Sequence, residues 1–438
     1  MTDLDRSVDE RPGVGTAADR DAALQQVVGE GLHRDDESDR HPPVADWATD
    51  FDHTDPVWAA DPYPIWDRLR DECPVAHTER YGGAWLPLTH ELVSEVAYDT
   101  DHFSSRSIIV TESRPTHDLA PVGIAPPISS DPPFHHGARR LLLPEFTPKA
   151  IAPLEEFTRD YCRGLLDAVD GHDVVDAAID YGQHIPVRVI AKMLGFPASD
   201  ADKFRTFVYD ALERVDRPPA ERVETIGHLV DYISTQMAEH DAEPRDDLTT
   251  YLLNAEMDGE PITKRHVFGT IALLLLAGID TTWSAIGASI WHLARTPADR
   301  ERLVAEPELI PTAIEEFLRA YAPVTMARLV KDDFEFHGCP MQADDWVLLP
   351  FPSANRDPEA FERADEVVID RAENRHAAFG LGIHRCLGSN LARLELRVAI
   401  ETWLERYPNF TLADPDAVHW SGGQVRGPRI LPIRILPT

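Results

Sequence analysis

The chain has 438 residues, 43% of them apolar, enough for a substantial core in one to three domains. A formal charge of −34 at pH 7 argues against nucleic acid or an anionic membrane as a partner. The opening MTDLDRSVDE has neither the basic flank nor the apolar stretch of a signal peptide or membrane anchor. The longest apolar run, 268–279, is broken by Gly269 and Thr270 and is too short to span a bilayer. Four cysteines (Cys73, Cys162, Cys339 and Cys386) are scattered without close pairs. Without an export signal, that suits a reducing cytoplasm rather than a disulfide framework.

Residues 1–47 are polar and acidic with little periodicity and read as a disordered tail and linker, ordered structure beginning near Phe51. The remainder, 48–438, reads as a single domain. Pro62 starts a helix running to Arg70. Residues 72–88 read as strands about a Gly82-Gly83 turn, and 89–98 as a short helix. The stretch 104–130, broken by four prolines at 115, 121, 126 and 127, is a loop of the length that is usually functional. Pro132 and Pro133 then launch a helix carrying His135, Arg139 and Arg140. His135 and Arg139, four apart, share one face and suit an anionic ligand such as a carboxylate. Helices follow over 154–169, 182–194, 201–214 and 221–238.

From Thr263 to Arg295 the pattern is one long helix, apolar nearly all round and therefore central. In its middle stands Ala277-Gly278-Ile279-Asp280-Thr281-Thr282-Trp283. Gly278 costs about 1 kcal/mol against alanine inside a helix, and a buried, unpartnered Asp280 would cost several more. Such broken rules mid-core mark a site. The plain alternative is that the threonines back-bond to carbonyls one turn earlier while Asp280 pairs with an arginine.

Residues 311–320 form a helix bearing Glu316 and Arg319, by themselves an ordinary intrahelical pair. A strand-like run holds Val324, Thr325, Met326 and Arg328. A hairpin is expected to pair 334–336 with 346–350, and a closing strand pair to occupy 420–437. Before the last helix comes FGLGIHRCLGSNLARLE, Phe379 to Glu395. Glycines allow the backbone close to something flat, and a cysteine at a helix start has its thiolate favoured by free N–H groups. A thiolate on a rigid loop is a ligand for haem iron. For a lone cysteine, a buried structural thiol would be the default.

This last string resembles the haem-binding signature of the cytochrome P450 family, matching at Phe379, Gly380, Gly382, His384, Cys386, Gly388, Ala392, Arg393 and Glu395. AGIDTT resembles the family's oxygen-activating helix, Glu316 and Arg319 its E-x-x-R motif, and DPPFHHGARR its D-P-P-E-H-x-x-x-R-R stretch, with Phe134 in place of the usual Glu. The resemblance implies a mainly α fold with a smaller β region (α+β), a triangular helical domain around a buried haem. It implies haem b on Cys386, with Phe379, His384 and Gly388 in the binding loop and His135, Arg139 and Arg328 on the propionates. Gly278 would let the helix approach the haem and widen locally, Thr281 would order dioxygen and a water, and Asp280 would relay protons. An arginine from the loop before the cysteine would complete the Glu316–Arg319 cluster: Arg371, with Arg375 in competition because Asn374-Arg375-His376 stands where N-P-H is usual. Val324, Thr325, Met326 and Ala277 would line the substrate cavity, with the 201–214 and 221–238 helices as a lid over it and the 104–130 loop as its other wall.

The activity implied is that of a cytoplasmic, monomeric haem-thiolate monooxygenase, placing one atom of O2 in a mostly apolar small molecule by hydroxylation or epoxidation. Its electrons come from NAD(P)H through a separate ferredoxin and ferredoxin reductase, none being fused to the chain, and Arg385 with Arg140 offers the docking face. A peroxygenase driven by hydrogen peroxide, or a non-catalytic haem-binding or docking module, are the alternatives. Retention of Asp280, Thr281 and Cys386 speaks against both.

Overall fold

The computed structural model describes residues 41–110, 123–201, 203–204, 206–207 and 219–437. Most of the expected tail, 1–40, lies outside these residues, as do 111–122 of the long loop and 208–218 at the end of the helix expected over 201–214. From residue 41 the chain is already tied down: His41 Nδ1 lies 2.8 Å from Asp52 Oδ2, and the Trp47 and Trp58 rings are 6.0 Å apart.

The longer helices are α1 (Tyr63–Glu72), α2 (His90–Tyr98), α3 (Phe134–Leu142), α4 (Leu154–Ala168), α5 (His184–Leu194), α6 (Pro219–Ala242), α7 (Lys264–Arg295), α8 (Pro297–Ala305), α9 (Ile310–Ala320) and α10 (Ser389–Arg406). Their ends follow local chemistry. Thr89 and Thr263 cap α2 and α7, their hydroxyl oxygens accepting from Leu92 N and His266 N. Gly195 stops α5 at φ 70°, a left-handed cap that only glycine adopts without strain. Helix α7, 32 residues and so about 48 Å long, packs against both α5 and α10. It is long and apolar enough to cross a membrane, beyond what the run 268–279 suggests, but 72% of its most apolar stretch is buried within the protein.

A five-stranded sheet has the order β1 (Val75–Thr78), β2 (Ala84–Pro87), β10 (Trp346–Pro350), β7 (Thr325–Val330), β3 (Phe103–Ser104); only the β2–β10 pair is parallel. The expected hairpin of 334–336 with 346–350 is not formed. β8 (Phe334–Phe336) instead pairs with β9 (Cys339–Met341) across His337 and Gly338, both at positive φ as a two-residue turn requires. β10 is buried at every position and fits only mid-sheet. A second sheet joins β11 (Phe410–Leu412), β14 (Pro432–Ile435) and β4 (Val174–Asp176); β12 (His419–Trp420) pairs with β13 (Pro428–Ile430).

Between α9 and the cysteine loop the chain winds irregularly and is held by one carboxylate. Glu316 accepts from Arg319 at 2.9 Å through both oxygens, from Arg371 at 2.9 Å, from Asn374 at 3.1 Å and from Val368 N at 2.8 Å. Arg319 also donates to the carbonyls of Asn355, Ala364 and Glu366. Arg371 joins this cluster; Arg375 is exposed. Glu316 and Arg319 have no accessible surface, so removing one charge strands the other. Glu316→Gln is expected to cost about 3–5 kcal/mol in denaturant unfolding; a loss below about 1 kcal/mol would mean the cluster is not what fixes this segment.

Candidate active site

Cys386 lies two residues before the Gly388 N-cap of α10, and its N–H donates to Phe379 O at 2.6 Å, closing the loop on itself. Gly380 and Gly382 have φ 68° and 65°, and a Cβ on Gly382 would come within 2.3 Å of Ala97 O, so glycine is required there. The Phe379 ring carries the Arg393 guanidinium 4.4 Å from its centroid, and Arg393 is gripped by Glu315 at 2.6 and 2.8 Å. The cysteine presents accessible surface although protein surrounds it on many sides. Burial pushes its thiol up; a hydrogen bond from Gly388 N–H and the charges of Arg139, Arg385 and Arg393 pull it back. The helix start alone, therefore, does not make a free thiolate. A metal ion that takes the sulfur displaces its proton.

Four nitrogen-bearing groups gather beside this loop. Arg139 donates to Arg385 O at 2.6 Å, tying α3 to it. The His135 and His384 rings meet edge-on at 4.3 Å, and His384 Nε2 lies 2.9 Å from Ser105 Oγ. Among the described residues, neither ring nitrogen of buried His135 has a hydrogen-bond partner. Burial, then Arg139, pushes His135 down to about 4; burial, then Arg328, His135 and Arg139, pushes His384 down to about 2. Arg328, 5% exposed, donates to Ala327 O and is pushed down to about 10 by burial. Buried cationic and unpartnered donor groups call for an anion from outside the chain. Two carboxylates of a haem, with its iron on Cys386, fit that donor set.

Helix α7 supplies another wall. It is buried nearly everywhere, but Leu273, Leu276, Gly278 and Thr281 are half-buried and Ala277 is exposed, one face at helical spacing. Thr281 donates to Ala277 O at 2.9 Å, and buried Asp280 accepts from Arg429 at 2.5 Å. Both contacts are those of the plain alternative weighed above, so the broken rules are partly repaired within the fold. The helix runs unbroken through Gly278, without the expected widening. A Cβ there would meet Ile190 at 3.7 Å, so the chain's own packing does not demand glycine. Val324 bridges to Val425, Thr325 N donates to Gln424 O, and Met326 is half-buried on β7.

Sequence reasoning missed Arg429, Ser105 and Glu315. Each acts through a contact from a distant segment, and no local spacing announces it.

A family model described as cytochrome P450 matches residues 207–418. A cytochrome P450 of Bacillus subtilis (strain 168) is 35% identical over 300 residues, covering 67% of this chain and 73% of that protein. The chain belongs to the cytochrome P450 family. Mycinamicin IV hydroxylase/epoxidase of Micromonospora griseorubida is 32% identical over 80% of this chain and 89% of its own. The P450 PksS of the Bacillus subtilis 168 bacillaene polyketide synthase, a solved structure, superposes with a TM-score of 0.81 at 28% identity, covering 88% of this chain and all of that one. P450s are haem monooxygenases, which is the group the donor set fits.

Removing the buried cation by Arg328→Met should speed haem transfer to apomyoglobin by roughly ten-fold or more, the factor for a charge-assisted bond of about 1.5–3 kcal/mol. An unchanged transfer rate would take Arg328 out of the haem site.

Proposed function

We propose that this P450 hydroxylates or epoxidises a mostly apolar small molecule, taking electrons from a separate ferredoxin and its NAD(P)H-fed reductase. The observation that carries the reading is the open face of α7, where Ala277, Gly278 and Thr281 are accessible in the middle of a mostly buried helix and a carboxylate, Asp280, stands beside them in the chain. Haem, held by Cys386 through iron and by His135, Arg139, Arg328 and His384 through its carboxylates, supplies dioxygen activation when bound. Phe379 and Gly388 shape the loop around the sulfur.

Thr281, its hydrogen committed to Ala277, keeps oxygen lone pairs with which to hold a water at the open face. Asp280 takes protons from solvent and passes them toward Thr281. Leu273, Leu276, Ala277, Val324, Thr325 and Met326 give the substrate wall its apolar character. One relative's hydroxylase/epoxidase name agrees with the reaction, and the polyketide context of PksS supports including polyketides among candidate substrates.

Arg385 and Arg140 are exposed on a protein of formal charge −34, and Arg139, next to Arg140 in the chain, donates to the Arg385 carbonyl. That surface offers an acidic ferredoxin its docking face.

Haem-loaded protein titrated with terpenes, fatty acids, steroids and polyketides should show a low-to-high-spin shift with at least one class. NADH-dependent, singly oxygenated product should then require a [2Fe–2S] ferredoxin. Product formed as fast with hydrogen peroxide alone would favour the peroxygenase. Charge reversal at Arg140 and Arg385 is expected to raise the ferredoxin KM several-fold at low salt and less at high salt; an unchanged KM would move the docking face elsewhere.

A further inference from the structure

Asp280 is held by a residue far along the chain. Arg429, on β13, donates from one terminal nitrogen to Asp280 Oδ1 at 2.5 Å and from the other to Ser284 Oγ at 2.9 Å. Its guanidinium lies 4.4 Å from the centre of the Trp283 ring. Asp280 is 1% and Arg429 7% exposed. The strand that delivers the arginine has no slack: a Cβ on Gly427 would fall 2.3 Å from Ser284 Cβ, and one on Gly287 3.3 Å from Pro428. One turn of α7 thus grips one arginine from a tightly seated strand.

Opposed effects act on the carboxyl. Burial pushes Asp280 up and Arg429 pulls it back. Among the described residues Arg429 is the charged group that acts on it, while the neighbouring elements bring Ile190 beside Gly278 and Gly182 against Trp283 and Ile286.

We propose that Arg429 is a positioning residue for proton delivery. It keeps the Asp280 carboxylate turned toward the C-terminal hairpin, away from the open face of Ala277 and Thr281, and a proton passes inward only when Asp280 takes it up and leaves the guanidinium. The C-terminal hairpin then sets the pH at which the relay works. This rests on the reading of Asp280 as the proton donor. The competing account is a staple that merely fastens β13 to α7.

The test uses haem-loaded wild type, Arg429→Gln, Arg429→Lys, Asp280→Asn and the Asp280→Asn/Arg429→Gln double variant. Hydrogen peroxide released per NADH is followed across pH with a [2Fe–2S] ferredoxin and its reductase, without added substrate. One NADH and one further proton reduce O2 to hydrogen peroxide; a second NADH and its proton carry the reduction to two waters, so the ratio reads proton supply. Arg429→Gln should move the pH limb upward by about one to three units, the effect of losing a contacting opposite charge. Arg429→Lys should leave the limb in place, and the double variant should show no shift relative to Asp280→Asn. An unmoved limb in Arg429→Gln, or an equal shift in the Asp280→Asn background, overturns the proposal. If Asp280→Asn itself leaves the limb intact, the donor reading fails and this inference goes with it.

Thermal unfolding separates the staple. The folded-state value of Asp280 lies above its unfolded value, and Arg429→Gln raises it further. Protonated Asp280 is accommodated in acid, and the penalty appears as pH rises through the raised value. The loss in Tm caused by Arg429→Gln should therefore grow from acid to alkaline pH and lose that slope in the Asp280→Asn background. A loss that is constant across pH supports the staple and contradicts the proposal.

Discussion

Glu316 has no accessible surface and is bound by two guanidinium groups, an amide side chain and a backbone N–H. A carboxylate so buried is tolerable only while all of these partners remain. Its partners come from α9 and from the irregular segment 368–374, and Arg319 reaches further, to carbonyls between 355 and 366. Those contacts fix a stretch that has no sheet or long helix to hold it, and that stretch delivers Phe379 and Cys386. The position of the sulfur therefore depends on an ion cluster remote from any reaction. Glu315, next in the chain, extends the same logic by holding Arg393 of α10 and His376.

The rest of the site obeys a similar rule, that charges buried in the protein find partners or wait for one. Asp280 has found Arg429. Among the described residues Asp131 alone is the carboxylate that acts on His135 and Arg328, and neither His135 ring nitrogen has a hydrogen-bond partner, which suits both residues to a dianionic cofactor. Burial pushes the Cys386 thiol up while Gly388 N–H and three arginines pull it back, and a metal taking the sulfur would displace its proton.

Legibility in the sequence followed the range of the interactions. The motif around Cys386, the AGIDTT helix and the Glu316–Arg319 pair were visible because each is a local string whose residue types are poor choices for ordinary core. Helix ends were readable within about two residues where a threonine, proline or glycine caps them. The partner strand of 334–336 was not, because two positive-φ residues at His337 and Gly338 close a tighter hairpin than the spacing of the apolar runs suggests. Nor was Arg429, an arginine in a short strand whose target lies 149 positions earlier. Gly278 taught the opposite lesson: a glycine that sequence logic singles out has no close neighbour in this chain that requires it.

The claim on which the account turns is that the Cys386 sulfur, on its glycine-shaped loop, ligates haem iron as a thiolate. The direct measurement is the absorption spectrum of the ferrous carbonyl complex of purified, haem-loaded protein, taken beside Cys386→His. The account predicts the strongly red-shifted Soret band of thiolate ligation in the wild type and its replacement by an imidazole-type band in the variant. An imidazole-type band in the wild type, or a thiolate band that survives the substitution, would contradict it.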